Sequence, residues 1–358
     1  MIRLTIILLI TSTLSFGQKK AIKPEEKNTS NQNIKMDINK WKKAVIHLEC
    51  ATDSEHYEDK IKRIDESQKL LNDGKITEEE YIIQLTGKSR DIRSQGTAIF
   101  LKHNEKRYLV TARHVVWDKL SAEMNIKKAV DEYNKNGGVN QEILNRLNEN
   151  ATNEIFRIIF RVPSIEEISK GSKAKSFLMN LQAGGSYRYT FSNPNFDLAI
   201  ISLDFGDSTF ADELIDLGFE PIAINDIESA PIEEGKEVFT VGFPQATSLL
   251  GQLSISSAEN NWSSSYFSAP VFSFGKISMF HNLLNFFWTD MSIYPGNSGG
   301  PVILENKLVG VISAQALIDV EGSSENLKTR IPFGKIIRAK YILELLKIQE
   351  DKEKKYKR

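Results

Sequence analysis

Apolar positions along the chain follow two patterns. Short apolar runs bounded by Gly, Ser, Asn or Pro read as strands, and longer stretches with apolar residues three or four apart read as helices. The first strand signal covers residues 44–50, and the next, Gly96-Thr97-Ala98-Ile99-Phe100-Leu101, follows only after a helical detour near 52–94. Within the detour Tyr57, Ile61, Ile64, Leu70 and Leu71 fall near helical spacing, Asn72-Asp73-Gly74 makes a turn, and Thr77-Glu78-Glu79-Glu80 opens a second helix with a capping-box pattern. The polar turn His103-Asn104-Glu105-Lys106 then joins Leu101 to Tyr108-Leu109-Val110-Thr111 as an antiparallel pair. A second helical insertion is expected near 118–152, and strand signals return at 155–162, 186–191 and 198–203.

After a loop-like stretch at 218–232, apolar runs recur at 238–243, 250–256, 266–274, 286–289, 302–304 and 308–313. Many short strands separated by turn residues, without regular βαβ alternation, point to antiparallel barrels or sandwiches. A final amphipathic helix is expected to begin near Lys335 and to carry Ile336, Ile337, Tyr341, Ile342, Leu345 and Leu346, with a charged tail over 350–358.

The first 17 residues read as a signal peptide: Arg3, an apolar stretch over 4–14, and Ser15-Phe16-Gly17 before the expected cut at Gln18. That stretch is too short to span a bilayer, so no integral membrane segment is expected once it is removed, and a periplasmic or extracellular location follows. Residues 18–37 are polar and read as a linker. Cys50 is the single cysteine, so no disulfide within the chain is possible; its apolar neighbours mark it as a small buried hydrophobe.

Composition narrows the function classes. The 358 residues carry 46 basic and 47 acidic side chains, so no global field recruits nucleic acid or an anionic membrane, and any partner must be recognised locally. There is no His-Glu-x-x-His run, phosphate loop or dinucleotide fingerprint, and neither a metal nor another cofactor is implied. Gly296-Asn297-Ser298-Gly299-Gly300-Pro301 is the most informative segment, because glycines around a serine let the backbone turn sharply and approach a substrate. Alone it reads equally as a Gly-rich turn, and it also satisfies the Gly-x-Ser-x-Gly elbow of α/β-hydrolases. That second reading needs a histidine after the serine, yet the five histidines, at 47, 56, 103, 114 and 281, all precede Ser298. The order His, Asp, Ser directs attention to Thr111-Ala112-Arg113-His114-Val115 and Phe196-Asp197-Leu198-Ala199. Taken singly, His114 reads as a core histidine and Asp197 as a turn or cap acceptor.

Together these segments resemble the trypsin-like serine proteases, and among them the bacterial high-temperature-requirement protease domain. Gly96 to Phe100, Leu109 to Val115, Asp197-Leu198-Ala199, Val241-Gly242-Phe243-Pro244, Thr289-Asp290 and Gly296 to Val302 carry the likeness. It departs at Arg113 and Ala98, where the family usually has a small residue and glycine, and at Asn297, where digestive members carry an aspartate that pairs with a freshly cut N-terminus. The resemblance implies an all-β core of two antiparallel β-barrels of the chymotrypsin type, with helical insertions and a C-terminal helix. The first barrel would span 38–217, the second 218–334, and the helix and tail 335–358, with no PDZ domain expected to follow. It further implies a serine endopeptidase acting on polypeptides through a His114, Asp197 and Ser298 triad, with an oxyanion hole from the Gly296 and Ser298 N–H groups. Ser292, Ile293 and Gln315 would line a substrate pocket suited to a small or medium apolar side chain, with Asp290 close enough in sequence to point inward. The competing expectation is a binding or chaperone-like module that keeps the protease fold with little or no turnover. Oligomeric state is left open by the sequence.

Overall fold

The computed structural model describes residues 36–356 except 53–56, 87–90, 137, 157, 172–177, 181–184, 229–232, 253–263, 265 and 321–326. The expected signal peptide and all but the last two residues of the expected linker lie outside the described residues.

Helix α1 (Ile38–Lys43) begins where the Asp37 carboxylate accepts the Lys40 N–H at 3.0 Å, and it buries Trp41. Strand β1 (Val45–Thr52) leads to α2 (Tyr57–Asn72) and α3 (Glu78–Thr86), the helical detour. The capping box expected at its second helix is formed: Thr77 N–H donates to Glu80 at 2.8 Å and Glu80 N–H donates to the Thr77 hydroxyl at 3.1 Å. Strands β2 (Asp91–His103) and β3 (Lys106–Ala112) make the expected hairpin, with Asn104 and Glu105 both at positive φ. One helical turn, α4 (Arg113–Val116), precedes α5 (Lys119–Lys135) and α6 (Gln141–Ala151), the second insertion. Then come β4 (Ile158–Arg161), α7 (Ile165–Ser169), β5 (Leu178–Asn180), β6 (Tyr189–Phe191), β7 (Leu198–Ser202), α8 (Thr209–Asp216) and β8 (Ile222–Ala223). The second half holds β9 (Glu237–Gly242), α9 (Gln245–Ser248), β10 (Leu249–Gln252), β11 (Tyr266–Ser268), β12 (Val271–Met279), β13 (Phe286–Thr289), β14 (Pro301–Leu304), β15 (Lys307–Asp319), β16 (Lys328–Arg338) and α10 (Lys340–Tyr356).

Strands of the first half run β5-β4-β1-β2-β3-β7-β6, with β8 parallel to the end of β2 that β1 leaves free. The second half closes on itself as a six-stranded barrel, β12-β13-β16-β15-β14-β9, while β10 and β11 form a separate pair. One apolar cluster crosses from half to half, joining Val110 and Ile200 to Val241, Val311 and Ile337, with Ile342 and Leu345 of α10. Polar contacts fasten α10 to the first half: Gln349 donates to the Tyr187 carbonyl at 2.7 Å and accepts from the Thr190 hydroxyl at 2.8 Å, and Lys352 donates to the Tyr189 carbonyl at 2.7 Å. Removing α10 would therefore uncover core belonging to both halves.

Several expected boundaries move. Lys335 to Ile337 is strand, not helix: Ile336 and Ile337 are both fully buried but belong to different apolar clusters, so consecutive side chains point to opposite faces, as only a strand allows. The final helix starts later, at Lys340. The first half runs past Gly218, because Ile222 and Ala223 pair with β2. Residues 186–188 belong to a 3₁₀ turn before β6. Helix α8 was not foreseen; it buries only Phe210, Ala211 and Leu214 among acidic neighbours.

Cys50 is buried in the first half, and burial pushes its thiol pKa well up, which keeps it protonated and inert. His47 is buried too, sharing a 2.9 Å hydrogen bond between Nδ1 and the Ser268 hydroxyl and stacking on the Phe243 ring at 4.7 Å. Desolvation by burial pushes its pKa down from 6.5 to about 3. Between those values the unfolded chain binds a proton that the folded chain refuses. This destabilising contribution is absent above the upper value and grows by about 1.4 kcal/mol for each pH unit lost below it. Denaturant titrations between pH 4 and 7 should show a stability slope in wild type that is steeper, by about one proton, than in His47→Gln. Equal slopes would remove His47 as the acid-sensitive group.

Candidate active site

The β3–β7 register brings two distant residues together. Ala112 lies opposite Leu198 and Thr111 opposite Ala199, so the residues just past each strand end, Arg113 and Asp197, meet, and Arg113 N–H donates to the Asp197 carbonyl at 3.0 Å. Asp197 sits at φ 45°, a left-handed conformation that Asp tolerates better than most side chains, within the turn following Asn193. That conformation turns its carboxylate toward α4. One oxygen accepts the His114 backbone N–H at 3.0 Å and the other accepts His114 Nδ1–H at 2.8 Å. The second oxygen also accepts the Ser313 hydroxyl at 2.5 Å. An ionised carboxylate can only accept, so the proton of the His114 bond resides on Nδ1 and the Nε2 lone pair remains available.

Ser298 is presented by the turn ahead of β14. Gly296 and Gly299 adopt φ +99° and +86°; a Cβ on Gly296 would lie 2.2 Å from the Phe243 carbonyl oxygen, and one on Gly299 would lie 2.1 Å from both Thr97 O and Thr111 Oγ1. Only glycine allows this turn and this approach. The loop is tied to the first half through Thr97: its N–H donates to Ser298 O at 2.8 Å, its hydroxyl donates to Gly296 O at 2.8 Å, and the same hydroxyl accepts Phe243 N–H at 3.1 Å. The Ser298 hydroxyl makes a long 3.5 Å hydrogen bond to Ser313 O. Among the described residues it is not bonded to His114, and neither the Gly296 nor the Ser298 N–H donates to a protein acceptor.

A cleft of about 400 Å³ contains His114, Gly296 and Ser298 together with Ile293, Gln315 and Arg330. The structure thus gathers His114, Asp197 and Ser298, and it puts Ile293 and Gln315 on the cleft wall. Ser292 is not on that wall: Met291 and Ile293 on either side are buried, and the alternation turns Ser292 outward. Asp290 does not point into the cleft either, because its carboxylate accepts the Lys276 N–H at 2.5 Å on the far side, against β12. Arg113, where the chain departs from the family pattern, is buried between the Trp117 and Phe191 rings, 5.2 and 5.4 Å away. Sequence reasoning missed the parts played by Thr97 and Ser313. Each is a hydroxyl within a short run of apolar residues, a signal that marks a buried polar partner without saying for what. Among the described residues no three His, Cys, Asp or Glu side chains gather so as to hold a metal ion, and no helix is long and apolar enough to cross a membrane.

Two glycines with similar backbone angles separate conformation from contact. Gly218, at φ +91°, would have nothing within 4 Å of an added Cβ, so Gly218→Ala is expected to cost about 1 kcal/mol for the left-handed backbone alone. Gly299→Ala adds collisions with two buried partners and is expected to cost about 2–4 kcal/mol. Equilibrium unfolding of both variants checks the difference; comparable losses would mean that the loop can relax away from Thr97.

These features correspond to a known family. A family model for the trypsin-like peptidase domain matches residues 96–311, more than half of the 358-residue chain and a span that includes His114, Asp197 and Ser298. No curated protein matches the chain. On that match, with the closed six-stranded barrel and mostly β architecture described above, the chain belongs to the trypsin-like peptidase domain family of serine proteases.

Proposed function

We propose that the chain is an exported serine endopeptidase that hydrolyses peptide bonds through an acyl-enzyme formed on Ser298. The observation that carries this reading is the 2.8 Å bond from His114 Nδ1 to Asp197, which leaves Nε2 as a base in the cleft that also holds Ser298. A serine hydroxyl is a poor nucleophile without an adjacent base, and the base needs a carboxylate to fix its tautomer and stabilise its cation. In the proposed reaction Ser298 Oγ attacks the scissile carbonyl carbon while its proton passes to His114 Nε2. The carbonyl π electrons move onto oxygen, and the Gly296 and Ser298 N–H groups donate hydrogen bonds to the oxyanion that results. Collapse breaks the C–N bond, and the imidazolium gives its proton to the departing amine. Water then repeats the sequence on the acyl ester and restores Ser298. The 3.5 Å bond of Ser298 to Ser313 O is a resting contact, which the hydroxyl exchanges for His114 when substrate arrives.

Ile293 and Gln315 line the cleft that holds the serine, and neither is an acid that could pair with Lys or Arg, which suits a small or medium apolar side chain beside the cut bond. Export rests on residues 1–17, and fractionation of producing cells, with the mature chain starting at Gln18, tests it.

Ser298→Ala is expected to lower kcat on the order of 10⁶-fold while leaving the unfolding midpoint near wild type. A fluorophosphonate should label wild type on Ser298 and fail to label either that variant or, at a useful rate, His114→Ala. A binding or chaperone-like module would give wild-type protein that binds peptides yet neither labels nor cleaves them, and that result would overturn the endopeptidase reading.

A further inference from the structure

Beside Ser298 lie an edge of β15 and the side chain of Arg330, which has no ion-pair partner among the described residues. Strand β14 pairs with β15 only as far as Val311, with Gly299 and Gly300 exchanging backbone bonds with Ile312. From Ser313 to Asp319 the one strand partner of β15 among the described residues is β16. The opposite edge over this segment is therefore open, it begins at the residue whose carbonyl accepts the Ser298 hydroxyl, and Ser313, Ala314, Gln315 and Leu317 all line the cleft. An open strand edge beside a reactive serine accepts an extended peptide by adding a strand, with main-chain bonds giving affinity and flanking side chains giving selectivity.

Arg330 is the flanking side chain with charge. It pairs in register with Leu317, is exposed, and lines the same cleft as Ser298 and His114. No carboxylate lines that cleft, and apart from His114 no other group there can carry a positive charge. Among the described residues, Asp319 of β15 faces Lys328 at 3.8 Å, and Asp290 accepts a backbone N–H at 2.5 Å. Arg330 has no ion-pair or hydrogen-bond partner among the described residues. The stretch from Ser313 to Leu317 covers about 13 Å of strand, and a guanidinium reaches back along part of that length. A carboxylate on the docked peptide would meet a planar donor that matches it in a bidentate manner, inside a partly enclosed cleft.

We infer that Arg330 selects peptides bearing an Asp or Glu within about four residues of the cut bond, on the side that lies along Ser313–Leu317. The inference rests on the endopeptidase reading of the same cleft and names its substrate class. Ile293 continues to set the size of the residue beside the bond, while Arg330 reads charge farther along.

The test compares wild type, Arg330→Gln, Arg330→Lys and Arg330→Glu on a peptide set in which each position near the bond carries Asp, Asn, Glu, Gln or Lys in turn. In wild type the acidic peptide should exceed its amide isostere by about five- to tenfold in kcat/KM at low ionic strength. That ratio should shrink as salt rises, fall to near one in Arg330→Gln, be partly kept in Arg330→Lys, and reverse in favour of Lys peptides in Arg330→Glu. Because Arg330 is exposed and has no ion-pair partner among the described residues, these variants should fold as wild type does, and an unchanged unfolding midpoint confirms it. Acid-to-amide ratios that are equal in wild type and Arg330→Glu overturn the inference while leaving the endopeptidase reading intact. Binding of the same peptides to Ser298→Ala protein separates the two the other way. Tighter binding of acidic than amide peptides, lost with Arg330→Glu, supports the inference even if turnover is never seen, and equal binding overturns it.

Discussion

Thr97 holds the two halves in the relation that the chemistry needs. It is fully buried on β2 of the first half, yet its N–H and hydroxyl both engage the carbonyls of the nucleophile loop in the second, at 2.8 Å each. Its own carbonyl accepts the Thr111 hydroxyl at 2.7 Å, and Thr111 lies on β3, just ahead of His114. One residue thus links the loop that carries Ser298 to the strand that leads to His114. Each of these bonds is buried, where a lost partner leaves a desolvated polar group without compensation, so the arrangement is held on several sides at once. A serine and a histidine that arrive from different halves must be positioned to within a fraction of an ångström, and packing of smooth apolar surfaces alone does not fix their relative slide.

The other half of the geometry comes from strand register. A one-residue slip between β3 and β7 would move Asp197 away from His114 and turn every buried side chain of β7 to the opposite face, so the core of the first half enforces the distance between His114 and Asp197. Ser313 then connects this pair to the second half, donating to Asp197 from a strand that belongs to the closed barrel. The helical insertion after β3 is fastened next to the site as well: Arg113 donates to the Thr152 carbonyl at 2.5 Å and Trp117 to the Ala151 carbonyl at 3.0 Å, both at the exit from α6. The chain therefore leaves His114, makes α5 and α6, and returns to a point anchored by the residue adjoining that histidine. Decoration of this kind lengthens the chain without loosening the strands that carry chemistry.

Much of this is legible in the amino-acid sequence. The strands that form the barrel alternate or run apolar over short stretches, and the order His114, Asp197, Ser298 follows from short segments with strong local chemistry. What stays hidden has a common cause. Ile336 and Ile337 are buried on both faces of β16, and a doubly buried strand has no alternation to distinguish it from the start of an apolar helix. Helix α8 shows three buried residues in an acidic segment, too few to announce a face. The substrate wall is misread at Ser292 because sequence separation from the serine specifies a position on the loop but not the direction of the side chain there. Thr97 and Ser313 are invisible as positioning groups because the partners of their hydroxyls lie 199 and 116 residues away in the chain, and hydrogen bonds over such separations leave no periodicity.

Asn297 shows how these constraints bear on control of the site. It is 3% exposed beside the nucleophile, and its Oδ1 approaches the backbone of Gly242 with no hydrogen-bond partner among the described residues. A carboxylate in that place would need a cation to be stable, and a newly formed chain terminus could supply it; an amide has no such requirement, and a buried ammonium set against it would be left largely uncompensated. Order in the loop must then come from bonds already made within the fold: Asn297 N–H to Tyr294 O, Gly300 N–H to Asn297 O, and the two from Thr97. None of these involves a titrating group or a free terminus. The loop that carries Ser298 is accordingly held by contacts within the fold, with no chain terminus among their partners.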